Sequence, residues 1–229
     1  MSIYITEANI TEFKLIDNSP YAEARQEWWK DITDFMADQF DVTLQFGPKM
    51  KDIGGYFTQA GYIKLNKICV PLNSVEIDIP VDNDDFAIGP GTVKFKSENE
   101  FAIMLHEVSH YMHFVKDNGE YTAPSLKDLK FAKIDPLYGF GGLNRIIDLE
   151  YEAGYRSIKT AEEYGLFGEN DRTVLINNLT NMSHYLTFNN LEKHTKKDGT
   201  LTKTGKKLVD KWMDRVKDFT EIAGYTVDL

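Results

Sequence analysis

The sequence predicts an α+β protein, strand-rich in its first half and mainly helical in its second. Two observations carry this. Between residues 42 and 96, short β-branched or aromatic runs alternate with Gly, Pro, Asn and Asp. After residue 97 the apolar residues recur at helical spacing and helix-capping patterns appear. The 229 residues are 42% hydrophobic, enough to bury one core. Residues 1–229 therefore read as a single domain. Residues 1–96 form an N-terminal helix plus a strand-rich lobe, and residues 97–229 form a helical part.

The first helix is expected over "SPYAEARQEWWKDITDFMADQF". Ser19 can cap it and Pro20 suits its first position. Ala22, Trp28 or Trp29, Ile32, Phe35 and Met36 make its apolar stripe. "VTLQF", "GYFTQ", "GYIKLN", "ICVPL", "VEIDIP" and "TVKFK" follow as strands, several with one polar face. The loop "PVDNDDFAIGPG" is acidic, but it lacks the ligand spacing and closing Glu of a calcium loop. Ser97 and Glu100 form a capping-box pattern that starts a helix just before the histidines. Further helices are expected over about 144–164 (closed by Gly165), 171–193 and 204–219. "PLYGFGGLNR" at 136–145 fits no phosphate-binding glycine fingerprint and reads as a connector.

Composition narrows the functional classes. The net charge of -10 argues against a nucleic-acid partner. The one dense basic stretch, Lys193 to Lys207, reads as a solvated turn between helices. Cys69 is the only cysteine, so neither an internal disulfide nor a thiolate metal cluster is expected. The start lacks the features of a signal peptide, and no apolar run approaches membrane-spanning length. A cytoplasmic protein with no membrane partner is the expectation.

The chemistry concentrates in "FAIMLHEVSHYMHF", where His106, Glu107 and His110 form His-Glu-x-x-His. On a helix, positions four apart differ by about 40° and ~6 Å of rise, so both imidazoles can lean onto one ion. Zinc favours imidazole nitrogens at ~2.0–2.1 Å. Glu107 is turned about 100° from His106, the position of a general base beside the metal rather than of a ligand. His113 lies on nearly the same face but about 10.5 Å along the axis from His106, too far to share the ion. It is expected at the rim. An ordinary helix bearing surface histidines is the bland alternative.

A catalytic zinc takes three protein ligands. The third must be a histidine, His184 or His194, or a carboxylate. Asp148, Glu150 and Glu152 stand out in "IIDLEYEAGYRSIKTAEEYG", a second helix. Gly154 costs that helix ~1 kcal/mol relative to Ala, and close approach of the motif helix would explain it.

His-Glu-x-x-His followed by "EYEAGYR" resembles the gluzincin metallopeptidases, whose third-ligand helix reads Glu-x-x-Ala-Asp or Glu-x-x-x-Asp. The pattern is similar also to metallopeptidases encoded by tailed phages and to small cytosolic metallopeptidases that cleave repressors. The resemblance covers about residues 55–166 and implies Glu150 as third ligand, with Glu152 next in line. It implies a zincin-like fold, a small mixed or antiparallel sheet over the motif helix. An edge strand of that sheet would bind substrate, with "GYIKLN" or "TVKFK" as the candidates and an internal strand as the equal alternative for either. The sequence departs from the pattern at Gly154, where those families carry an acid that orients a ligand histidine. Asp148 or Glu152 is then the candidate for that task.

The expected function is a zinc-dependent metallopeptidase acting on a peptide or protein substrate. His106, His110 and Glu150 hold Zn2+, and Glu107 takes the proton of the metal-activated water and passes it to the leaving amine. Tyr155, His184 and Tyr185 are the candidates for a donor to the oxyanion. The alternative is a non-catalytic interaction protein on the same fold, working through the aromatic C-terminal part.

Overall fold

Alternating apolar side chains need a covered face, and two small sheets provide it. The computed structural model describes residues 2–39, 42–47, 56–60, 65–71, 75–116, 142–168, 172–187 and 190–225. Strands β1 (Ile3–Thr6), β3 (Val42–Gly47), β4 (Tyr56–Ala60) and β5 (Leu65–Pro71) form one sheet in the order β1-β3-β5-β4. β3 and β5 run parallel, and both outer strands pair antiparallel. The register opposes Ile5 to Leu44 and Leu44 to Ile68, all three fully buried. A second sheet, ordered β2-β7-β6, joins β2 (Phe13–Leu15), β7 (Gly91–Phe95) and β6 (Val75–Asp78).

β1 and β2 precede the first helix, where the short runs "IYIT" and "FKL" give too little pattern to predict strands. Their partners, β3 and β7, lie far along the chain, so only tertiary pairing makes them strands. Of the two readings of "TVKFK", substrate-binding edge or internal strand, the edge is corrected. "TVKFK" lies in β7, the middle strand of its sheet, because β2 and β6 flank it. The Leu65–Asn66 end of "GYIKLN" belongs to β5, which β3 and β4 flank, and residues 61–64 lie outside the described residues. In the four-stranded sheet, β4 has a neighbour on one side only among the described residues.

Helix α1 runs Ala22–Ala37. It starts later than the cap pattern suggests, because Ser19 serves a preceding turn: its Oγ accepts from Tyr21 N and its carbonyl from Ala22 N. The helix buries Trp28, Trp29, Ile32 and Met36, and Trp29 Nε1 donates to Phe13 O at 2.9 Å. Arg25 is buried as well. Its guanidinium meets Asp17, Glu98 and the Leu166 carbonyl, and lies 4.4 Å from the centre of the Phe101 ring. One cation thus ties α1 to the start of the motif helix and to the loop after the ligand-bearing helix.

Helix α2 (Glu98–Lys116) starts on the capping box: Glu100 N donates to Ser97 Oγ, which in turn donates to the Glu100 carboxylate. Helix α3 (Gly142–Tyr164) ends where Gly165 takes φ +70° and Leu166 N returns to Ala161 O. Helices α4 (Thr173–Thr187), α5 (Asn190–Lys193) and α6 (Lys203–Ile222) complete the chain, with residues 188–189 outside the described set. The basic stretch spans the end of α5, an exposed turn bridged at Thr195 and Leu201, and the start of α6, so its lysines are only partly in the expected turn. α2 packs between the helices α3 and α4 and the strands β4 and β5. No described helix is long and apolar enough to cross a membrane.

Candidate metal centre

α2 is anchored by Phe101, Ala102, Met104, Leu105, Val108 and Tyr111, all buried. The polar residues among them are buried too: His106 at 2% exposure, Glu107 at 6% and His110 at 5%. Polar groups kept from water need partners, so three such residues within two turns signal a site rather than a surface. The two rings stand perpendicular, with centres 4.6 Å apart.

The third member arrives from α3. Glu150 occupies the apolar stripe of that helix, between Ile147 and Ala153, and is carried into the interior with it. Glu150 Oε2 lies 3.1 Å from His106 Nε2, and Oε1 lies 3.6 Å from His110 Nε2. His106, His110 and Glu150 form a buried group able to hold a metal ion, its ligand atoms all within 4.8 Å of one another. Donors ~2.0–2.1 Å from a tetrahedral ion are about 3.3 Å apart, so the observed separations fit such an ion.

Electrostatics agree with a site built for a cation. Burial disfavours charge on His106, yet the hydrogen bond and charge of Glu150 outweigh it, helped by Glu107 and Asn178. Its pKa rises to about 9. Burial lowers the pKa of His110; Glu150 opposes this, while neighbouring His106 and His113 add to it. Burial alone would raise Glu150, but the two histidines hold its carboxyl well below the usual range. Glu150 thus favours the protonated form of His106, and a bound cation would take the place of the proton on Nε2.

His113 lies outside this cluster, as its rise along the helix requires. His194 is placed in the turn after α5, where His194 N bonds Leu191 O, and takes no part in the cluster.

Several expectations are corrected. Asp148 does not orient a histidine. It faces α6, where its carboxylate pairs with Lys211 Nζ at 2.7 Å and Arg215 at 3.6 Å. Glu152, two residues beyond Glu150, lies about 200° round the helix from it and is absent from the cluster. Tyr155, a candidate donor that these contacts leave open, is partly exposed and tilts against Tyr151, 6.2 Å between ring centres. The side chains of His184 and Tyr185 lie outside the described residues. Gly154 makes room for α6 rather than for the motif helix: a Cβ there would sit 2.5 Å from Cζ of Phe219.

A further group meets His106 from outside the motif and the acids of α3. Asn178, on α4, places Oδ1 at 2.7 Å from His106 Nδ1. Its signal in the sequence is faint but physical. Val174, Asn178 and Met182 recur every four residues on a buried face, so a polar residue interrupts an apolar stripe.

Fold and site together define an α+β protein with a buried group of two histidines and one carboxylate able to hold a metal ion. No known family profile, curated protein or solved structure matches the chain.

Proposed function

We propose that the chain is a zinc-dependent metallopeptidase on a zincin-like fold, hydrolysing bonds in a peptide or protein substrate. One observation carries the reading: Glu150 of α3 meets Nε2 of both His106 and His110, with Glu107 buried on the same turn of α2. Two imidazoles and a carboxylate are the donor set of a hydrolytic zinc site, which leaves one position open. A bound zinc supplies Lewis-acid polarisation of a carbonyl and lowers the pKa of water.

The chain's own groups do the rest. His106, His110 and Glu150 would hold the ion between α2 and α3. Glu107, next to His106 but turned about 100° around the helix, accepts the proton of the attacking water. It then returns that proton to the leaving amine. β4 and β5 lie against α2, and β4 has a neighbour on one side only among the described residues. An extended substrate can add to that edge through backbone hydrogen bonds, which places its carbonyls beside the motif helix. The net charge of -10 also favours a protein substrate over nucleic acid.

The test is metal analysis of the purified protein together with cleavage of a quenched fluorescent peptide library. One zinc per chain and metal-dependent cleavage are expected. Stoichiometric zinc with no cleavage of any library member would favour an interaction protein.

A further inference from the structure

Two backbone carbonyls fix a chain of hydrogen bonds that ends at His106. A carbonyl oxygen only accepts. Ser157 Oγ donates to Gly154 O at 2.9 Å, so its lone pairs face Asn178. Asn178 Nδ2 donates to Ser157 Oγ at 2.8 Å and to Val174 O at 2.7 Å. Both hydrogens of that amide are then used. A flipped amide would set Oδ1 against the Val174 carbonyl, acceptor on acceptor, so the orientation is determined by the network. Oδ1 therefore faces His106 Nδ1 at 2.7 Å, and Nδ1 must carry the hydrogen. Asn178 and Ser157 are both fully or nearly fully buried, so water does not compete for these bonds.

We propose that Asn178 is a positioning residue that fixes His106 as the Nδ1–H tautomer, presenting Nε2 to the metal with no added charge. The inference deepens the zinc reading and rests on it for the metal. The absence of charge matters. A carboxylate in this place would put a third anion beside Glu107 and Glu150 in a region closed to water, and it would make the imidazole a stronger donor to the ion. The amide orients the ring while leaving a divalent ion only one carboxylate to neutralise it. A bound ion would thereby keep more of its pull on a carbonyl. Ser157 and Asn178 come from α3 and α4, so the ligand on α2 is aligned by both helices that pack on it.

The test reads the ring proton directly. In 15N-labelled full-length protein, hydrogen exchange of the His106 Nδ1–H is followed by NMR, without metal and with zinc, and zinc affinity is measured by chelator competition. Wild type is expected to show a protected Nδ1–H in both states and ligation through Nε2. Asn178→Leu should lose the protection and bind zinc about 10–100-fold more weakly. Unchanged zinc affinity in Asn178→Leu, or the absence of a protected Nδ1–H in wild type, would overturn the proposal. Should Asn178→Leu fail to fold, Ser157→Ala removes one acceptor from the amide and must speed exchange of the same proton; unchanged exchange overturns the proposal as well. A protected Nδ1–H in a wild type that takes up no zinc would sink the metal reading while upholding the hydrogen bond by which Asn178 positions the ring.

Discussion

The carboxylate of Glu150 stands 3.1 Å from Nε2 of His106, although 44 positions of chain separate them. Its other oxygen reaches toward His110, so one side chain on α3 closes a site that α2 begins.

This relationship predicts which substitutions empty the site. Glu150→Ala should lose zinc, as should His106→Ala and His110→Ala, while Glu152→Ala should keep one ion per chain. Elemental analysis after gel filtration checks it. Zinc retained in Glu150→Ala and lost in Glu152→Ala would refute the assignment.

Glu107 separates binding from chemistry. Glu107→Gln keeps the size of the side chain and removes its basicity. It should hold zinc at wild-type stoichiometry and cleave peptide about 10²–10⁴-fold more slowly, the range for loss of a general base. Single-turnover cleavage at saturating zinc gives the measurement, and a wild-type rate would rule out Glu107 as the base.

Gly154→Ala sets two effects against each other. Ala favours the helix by ~1 kcal/mol. Its Cβ would meet the Phe219 ring at 2.5 Å, and that ring cannot easily yield: it is fully buried and stacked on Tyr151 at 5.2 Å between centres. Overpacking of this kind costs about 1–3 kcal/mol, so a net loss of stability is expected. Urea denaturation decides it, and a more stable Gly154→Ala protein would contradict the packing at this point.

The Asp17–Arg25 pair predicts a dependence on pH. Burial would raise Asp17, but hydrogen bonds from Ser19 and the charge of Arg25 bring its pKa below the ordinary 3.8. A depressed carboxyl contributes stability that is present above the ordinary value and lost as pH falls through the lower folded value. Asp17→Asn should therefore be less stable than wild type near neutral pH, with the gap closing below about pH 3.8. Denaturation midpoints of both proteins across that range test the sign; a gap that widens on acidification would be wrong for this pair.

The motif was legible because its spacing is its geometry. His106 and His110 share an ion since four residues make little more than one turn, and His113 is excluded by helical rise alone. The capping box that starts α2 and the glycine stop that ends α3 act over a few residues, so the sequence shows them directly. Glu150 was legible as one of three acids on a helix. Choosing among Asp148, Glu150 and Glu152 required knowing which face of α3 turns inward.

By itself, then, the sequence determined the α+β order, the two histidines, the glutamate beside them and the helix that brings the third member of the group. These are local properties, set by period and spacing within one element. The tertiary structure decided everything that joins elements distant in the chain. β1 and β2 became strands only by pairing with β3 and β7. Gly154 yields space to Phe219 of α6, not to α2. Asp148 turns outward to Lys211, and Asn178 meets His106 across 72 positions. Side-chain partners of this kind depend on how helices rotate against one another as they bury their apolar stripes, and no local pattern records that rotation.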